Sequence, residues 1–374
     1  MCLNERGQGK TVTLQGAEVK KVQELKYLGS IVQCDGECGK EVKRRVQAAM
    51  EMMKDVKLCF PLLNTSCKRH SRTHTEAMLI YTLLPSMSVL TAVLNLLVII
   101  SISHFRQLHT PTNLLLLSLA ASDFLVGVIV MPFQILFAEP CWFLGDLMCV
   151  LCNVVNFIPV SASTANMVLI SVDRYVAVCH SMSYPNKVTE ERVQISVLLC
   201  WVSSVLYNIL FLFDNLNQPG RFNSCYGQCV IRVNGAADMV LSFIIPISAI
   251  IILYVRVFVV AVSQARSIRC HTKTVKLRRS GTATVQRSEL KAARTLGVIV
   301  AVFLICYCSY YCVSLSGPDL TVSSPTVLMG FLIYCNSCLN PVIYAFLYPW
   351  FRKSVKLIVT LQILRPNSYA GNII

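Results

Sequence analysis

The chain has 374 residues, 55% of them hydrophobic and 14% charged, with a formal net charge of +15. That is too apolar for an ordinary soluble domain and leaves room for several spans of about 20 residues each, so a polytopic membrane protein is indicated. The positive excess could suggest nucleic acid, but long apolar runs hold few charges. It must sit in loops and tails, as the positive-inside bias of membrane proteins requires.

Residues 1–57 differ from the rest: they are polar and irregularly charged, and Gly36 and Gly39 interrupt any long helix. The stretch Val22 to Met50 resembles the C-terminal part of a non-LTR retroelement reverse transcriptase. This implies a transposon fragment joined to an unrelated gene, or an artefact of gene prediction, and the segment is expected to be disordered. Gly9, Lys10 and Thr11 suggest the end of a phosphate loop, but Asn4 stands where its first glycine belongs. No polymerase carboxylates can be picked out in so short a piece. No cleavable leader is expected, and the first span would act as an uncleaved insertion signal.

A tail over 58–76 follows, with a glycan acceptor at Asn64 and a bridge candidate at Cys67. Seven apolar segments come next, at about 77–103, 112–136, 147–179, 193–213, 239–262, 296–315 and 327–347. Together they predict an all-α fold: a seven-transmembrane helix bundle over 77–348, then a short amphipathic helix and tail over 349–374. The loop after the fifth segment carries Arg266, Arg269, Lys273, Lys276, Arg278 and Arg279 among its bases and only Glu289 as an acid. The loop after the second holds Glu139 and Asp146 and no base. The basic side is therefore cytoplasmic, facing lipid headgroups or a partner protein rather than nucleic acid, and the N-terminus is extracellular. Of the eighteen cysteines, most lie inside apolar runs as small hydrophobes. Sequence alone leaves the connectivity of the others open.

The last segment holds Asn336 and Asn340, then Pro341, which leaves a carbonyl without its usual donor. These groups, with Asn95, Asp123, Ser163 and Ser337, call for a polar bundle interior. The run Asn340, Pro341, Tyr344 resembles the seventh helix of rhodopsin-like (class A) G-protein-coupled receptors. The wider string from Asn336 through Tyr348, Trp350 and Phe351 is similar to that of the trace amine-associated receptors, and the resemblance covers about residues 58–365.

The resemblance implies several sites. Asp123, Ser163, Asn336, Ser337 and Asn340 would line a sodium pocket; no other cofactor or metal is expected. Asp173, Arg174 and Tyr175 would form a cytoplasmic switch, Arg174 latching to Glu289, with Tyr254 and Tyr344 supporting the open state. Cys149 would pair with Cys229, and Cys67 with Cys225. About five helical turns outward from Arg174, where amine receptors usually carry an aspartate, stands the uncharged Asn156. Asp238, about two turns before Pro246, occupies the position at which some fish members place an amine-binding acid. A desolvated ammonium needs such a counter-ion, and Phe157, Tyr310, Tyr311 and Tyr334 could supply aromatic walls. One acid rather than two points to a monoamine.

Departures from the family pattern are Ser309 in place of a proline, Tyr307 and Phe331 in place of tryptophans, and His180, Ser181 and Met182 in the second cytoplasmic loop. Losing the proline should straighten the sixth helix. The expected function is a plasma-membrane olfactory receptor that binds a protonated amine at Asp238 and couples to a stimulatory G protein. Alternatives are an uncoupled or degenerate amine-binding protein and a serotonin-like receptor. Scattered histidines argue against an enzyme, the lack of repeats against a transporter, and Tyr334, where retinal needs a lysine, against an opsin.

Overall fold

The computed structural model describes residues 12–14, 17–19, 24–27, 30–33, 78–138, 142, 144–223, 229–274, 296–312, 324–365 and 369. For the strands, residue 79, 265–274 and 324–329 it describes the backbone alone. The chain divides into two units, Met1–Arg69 and His70–Ile374. In the first, β1 (Val12–Leu14) pairs antiparallel with β2 (Ala17–Val19), and β3 (Glu24–Tyr27) with β4 (Ser30–Gln33). The registers Leu14↔Ala17 and Tyr27↔Ser30 make each pair a tight hairpin.

The second unit is a helical bundle. Six of its described helices are long and apolar enough to cross a bilayer: α1 (Ile80–His104), α2 (Pro111–Ala138), α3 (Asp146–Cys179), α4 (Glu190–Phe211), α5 (Gly235–Gln264) and α7 (Gly330–Leu347). Between the last two, the described part of α6 is Leu296–Cys312. A short helix, α8 (Pro349–Val359), follows α7. Each of the first seven lies within a few residues of a segment read from the sequence.

Helix starts follow local chemistry. Thr110 caps α2 by accepting from the Asn113 amide (3.3 Å), with Pro111 in the first turn, where a missing N–H costs nothing. Thr189 caps α4 by accepting from the Arg192 amide (3.4 Å), and Glu190 and Glu191 favour the positive end of the helix dipole. Three π-helical stretches, Leu79–Leu83, Val126–Val130 and Met239–Ile244, each end within two residues of a proline: Pro85, Pro132 and Pro246. The ring cannot donate and clashes with the carbonyl four residues back, and the wider turn relieves that clash. In α6, where Ser309 takes a proline's place, the helix is unbroken from Leu296 to Cys312, and the Ser309 hydroxyl donates back to Ile305 O (2.7 Å).

Packing is inverted relative to a soluble protein. Leu199, Leu206, Ile252, Phe258 and Phe346 point outward, while Asn95, Asp123, Asn156, Asn166 and Asn340 are buried. An apolar exterior around a polar interior suits a hydrocarbon solvent. Close approach of α1 and α2 depends on Gly127, where a Cβ would stand 2.9 Å from the Ala92 amide nitrogen. The Ser88 hydroxyl donates to Gly127 O (2.6 Å) across the same contact. At the other end of the bundle, α8 docks through buried Phe351 and Ser354, and Trp350 and Leu357 pack on Phe105 and Leu108.

Candidate functional site

Three polar features run along the bundle. At one end, Cys149 in the first turns of α3 is disulfide-bonded to Cys229 in the α4–α5 connection. Beside it, Asp146 accepts from Asn223 Nδ2 (2.8 Å), and Asn215 and Arg232 exchange two hydrogen bonds (2.8 and 3.0 Å), tying that connection over α3 and the end of α4. Cys67, Cys225 and Asn64 lie outside the described residues.

Below this loop is a cavity of about 1100 Å³. All six ligand residues read from the sequence line it: Asn156 and Phe157 from α3, Asp238 from α5, Tyr310 and Tyr311 from α6, and Tyr334 from α7. The Asp238 carboxylate is half-buried rather than fully enclosed. It accepts from Ser242 Oγ (2.8 Å) one turn along α5 and from the Tyr207 hydroxyl of α4 (3.3 Å), and these two hydroxyls are 2.9 Å apart. Among the described residues no basic side chain pairs with Asp238. Aromatic rings brace the walls: Phe243 stacks on Tyr311 (4.2 Å), which meets Tyr310 edge to face (5.3 Å), and Tyr207 stacks on Phe211 (5.5 Å).

Sequence reasoning missed Tyr207 and Ser242. The serine was accessible from its i+4 spacing to Asp238, whereas nothing local marks Tyr207 as its neighbour.

Deeper in, Asp123 is fully buried and accepts from Asn340 Nδ2 (2.7 Å), Ser337 Oγ (2.8 Å) and Ser163 Oγ (3.3 Å). Asn95 joins by donating to Ser337 O (3.0 Å) and Thr91 O (2.9 Å). Four helices thus assemble one polar core. The buried oxygens Asn95 Oδ1, Asn336 Oδ1 and Asn340 Oδ1 have no hydrogen-bond partner among the described residues. A carboxylate with spare amide oxygens on its flanking helices is an oxygen-only donor set that fits a hard monovalent cation.

At the far end, Asp173 and Arg174 are buried and paired, with Arg174 Nε at 2.9 Å. Arg174 Nη2 also donates to Thr112 Oγ1 (2.6 Å), and the Tyr184 hydroxyl donates to Asp173 Oδ1 (2.8 Å). Burial, and then the Asp173 charge, push the Tyr184 phenol up to about 12, so it stays a donor at any physiological pH. Tyr175 meets His180 edge to face (5.6 Å). The hydroxyls of Tyr254 and Tyr344 are buried without partners among the described residues. Glu289, the expected latch for Arg174, lies outside those residues.

Seven apolar helices around a charged core, with a ligand-sized cavity at one end and a buried Asp–Arg pair at the other, define a membrane receptor. The family model of the 7 transmembrane receptor (rhodopsin family) matches residues 94–344. The chain is 37% identical to trace amine-associated receptor 13c of Danio rerio over 322 residues, 83% of this chain and 94% of that one. It is 37% identical to trace amine-associated receptor 7b of Rattus norvegicus, covering 85% and 92% of the two chains, and 35% identical to trace amine-associated receptor 1 of Macaca mulatta, covering 83% and 96%. The chain belongs to the rhodopsin family of seven-transmembrane receptors and, within it, to the trace amine-associated receptors. It is a multi-pass membrane protein and not an enzyme.

Proposed function

We propose that this receptor sits in the plasma membrane with its N-terminus outside, binds a protonated amine through Asp238, and signals through a stimulatory G protein in chemosensory cells. The observation that carries this reading is the Asp238 carboxylate: it lines the cavity, is held by two hydroxyl donors, and has no cation of its own among the described residues. A half-buried anion so placed is an unpaired counter-charge for an ammonium, and Tyr310, Tyr311 and Tyr334 offer it ring faces. Disulfide and acid share one end of the bundle, and the basic segments adjoin the other, which supports an extracellular cavity.

At the cytoplasmic end, the Asp173–Arg174 pair braced by Thr112 and Tyr184 would hold the resting state. On activation Arg174 would turn toward the buried hydroxyls of Tyr254 and Tyr344. A sodium ion at Asp123, held with Ser163, Ser337, Asn336 and Asn340, would stabilise that resting core. The test is cyclic AMP in cells expressing the full chain, exposed to a panel of primary amines, beside Asp238→Asn. Loss of potency by about tenfold or more in that variant at equal surface expression is expected for a removed ion pair. An unchanged dose response would remove Asp238 as the anchor.

A further inference from the structure

Asn156 is 2% exposed and lines the amine cavity, yet neither its Oδ1 nor its Nδ2 has a hydrogen-bond partner among the described residues. The other buried asparagine, threonine and serine side chains of the cavity wall are hydrogen-bonded. Asn208 Nδ2 donates to Ser161 Oγ (2.7 Å) and Ser204 O (2.7 Å), Thr164 Oγ1 donates to Val160 O (3.2 Å), and Ser242 and Tyr207 donate to Asp238. Asn156 therefore differs from the other described buried polar groups along that wall. An amide sequestered from its usual partners is costly, and a ligand that supplies them recovers that cost on binding.

We infer that Asn156 is a second polar anchor in this cavity, and that the preferred ligand is bifunctional: an ammonium at Asp238 and, at its other end, a neutral hydrogen-bonding group at Asn156. The inference rests on the Asp238 reading given above. A primary carboxamide satisfies both orphan atoms at once, accepting from Nδ2 while donating to Oδ1. A hydroxyl aligned on one of them satisfies that one. An alkyl end satisfies neither and leaves the amide buried and unmet. A second ammonium can donate to Oδ1 but leaves Nδ2 unpaired, and it brings a charge to a position that has no carboxylate. The ligand class is thus amino amides and amino alcohols, ahead of plain alkylamines and of diamines.

The experiment uses the purified full chain in detergent and reads affinity from thermal stabilisation, so that it does not depend on coupling. The probes are n-alkylamines, ω-amino alcohols, ω-amino carboxamides and α,ω-diamines of matched length. In the wild type, the best amino carboxamide or amino alcohol should bind roughly tenfold more tightly than the alkylamine of the same length. In Asn156→Leu that ratio should fall to near one, and Asn156→Asp should shift preference to the diamines; the midpoint without ligand checks that each variant folds. Alkylamines equal to or better than the polar series at every length, or a ratio that survives in Asn156→Leu, would overturn the inference. If Asn156→Leu does not fold, Asn156→Asp decides: no gain for diamines overturns it. Asp238→Asn separates the two readings. Retained affinity for all four series there removes the ammonium anchor, while the ratio at Asn156 is judged by itself. A wild type that binds none of the series overturns both.

Discussion

Replacing Asp123 by Asn tests whether the buried core holds a cation. The carboxylate accepts three hydrogen bonds, from Asn340, Ser337 and Ser163, and an amide can accept at only one of its two heavy atoms. At least one donor would then face an NH2 group, at a cost of about 1–3 kcal/mol. Removal of the charge would also abolish cation binding. A site saturated tenfold over its dissociation constant stabilises the wild type by about 1.4 kcal/mol, which corresponds to a rise of about 3 °C in unfolding midpoint for a domain of this size. The assay is thermal unfolding of purified receptor in sodium chloride against choline chloride at equal ionic strength, which removes general screening as an explanation. The wild type should be more stable in sodium, and Asp123→Asn should melt at one temperature in both salts. Equal sodium stabilisation in the variant, or none in the wild type, would refute the cation reading and leave Asp123 as a hydrogen-bond hub.

Tyr207→Phe removes one donor from Asp238 and its contact with Ser242, and amine potency should fall about fivefold, a hydrogen bond's worth of about 1 kcal/mol; cyclic AMP dose–response curves measure it. Gly127→Val forces a side chain against the α1 backbone, where even a Cβ stands 2.9 Å from Ala92 N, and should destabilise by about 1–3 kcal/mol or reduce surface expression; both are read by thermal unfolding and surface labelling. Tyr184→Phe deletes a donor to Asp173 and should raise basal cyclic AMP without added ligand; an unchanged basal level would argue that Asp173 and Thr112 alone keep Arg174 in place.

Much of the architecture was legible because hydrocarbon solvent writes it plainly. Each helix must satisfy its own backbone, so apolar length alone located seven segments to within a few residues. Buried polar residues were equally visible, since an Asp123 or Asn340 in an apolar run has no reason to face lipid. Apolar length and polarity alone do not convey pairing. The convergence of Ser163, Ser337 and Asn340 on Asp123 was expected only through the family resemblance, and the reach of Tyr207 of α4 to Asp238 of α5 was not expected at all, because both depend on how helices distant in sequence are rotated against one another. The π turns were in principle readable from Pro85, Pro132 and Pro246, but a proline equally permits a plain kink, as Pro159 and Pro341 lie within continuous α-helix. The two hairpins within residues 12–33 went unread because their strands are only three or four residues long, too short for alternation to register against irregular charge.

Tyr307 belongs both to the cavity wall and to the packed core beneath it. Tyr307 of α6 lines the cavity, as does Thr164 of α3, and packs on Phe303 (ring centroids 4.2 Å) within the buried core. A ligand that displaced this ring would disturb its packing on Phe303 and so the core below the cavity. The indole expected here from family comparison would fill more volume but could only donate, through its N–H; the phenol also accepts, and so can take either role toward a ligand. The same helix lacks the family's proline and is continuous from Leu296 to Cys312, so no missing backbone donor marks a bend at Ser309. On the function proposed above, motion of α6 would be carried along Leu296–Cys312 as one element. On that same proposal, switching would then fall to side-chain rearrangement around Tyr307 and Phe303, with the Asp173–Arg174 pair responding at the far end.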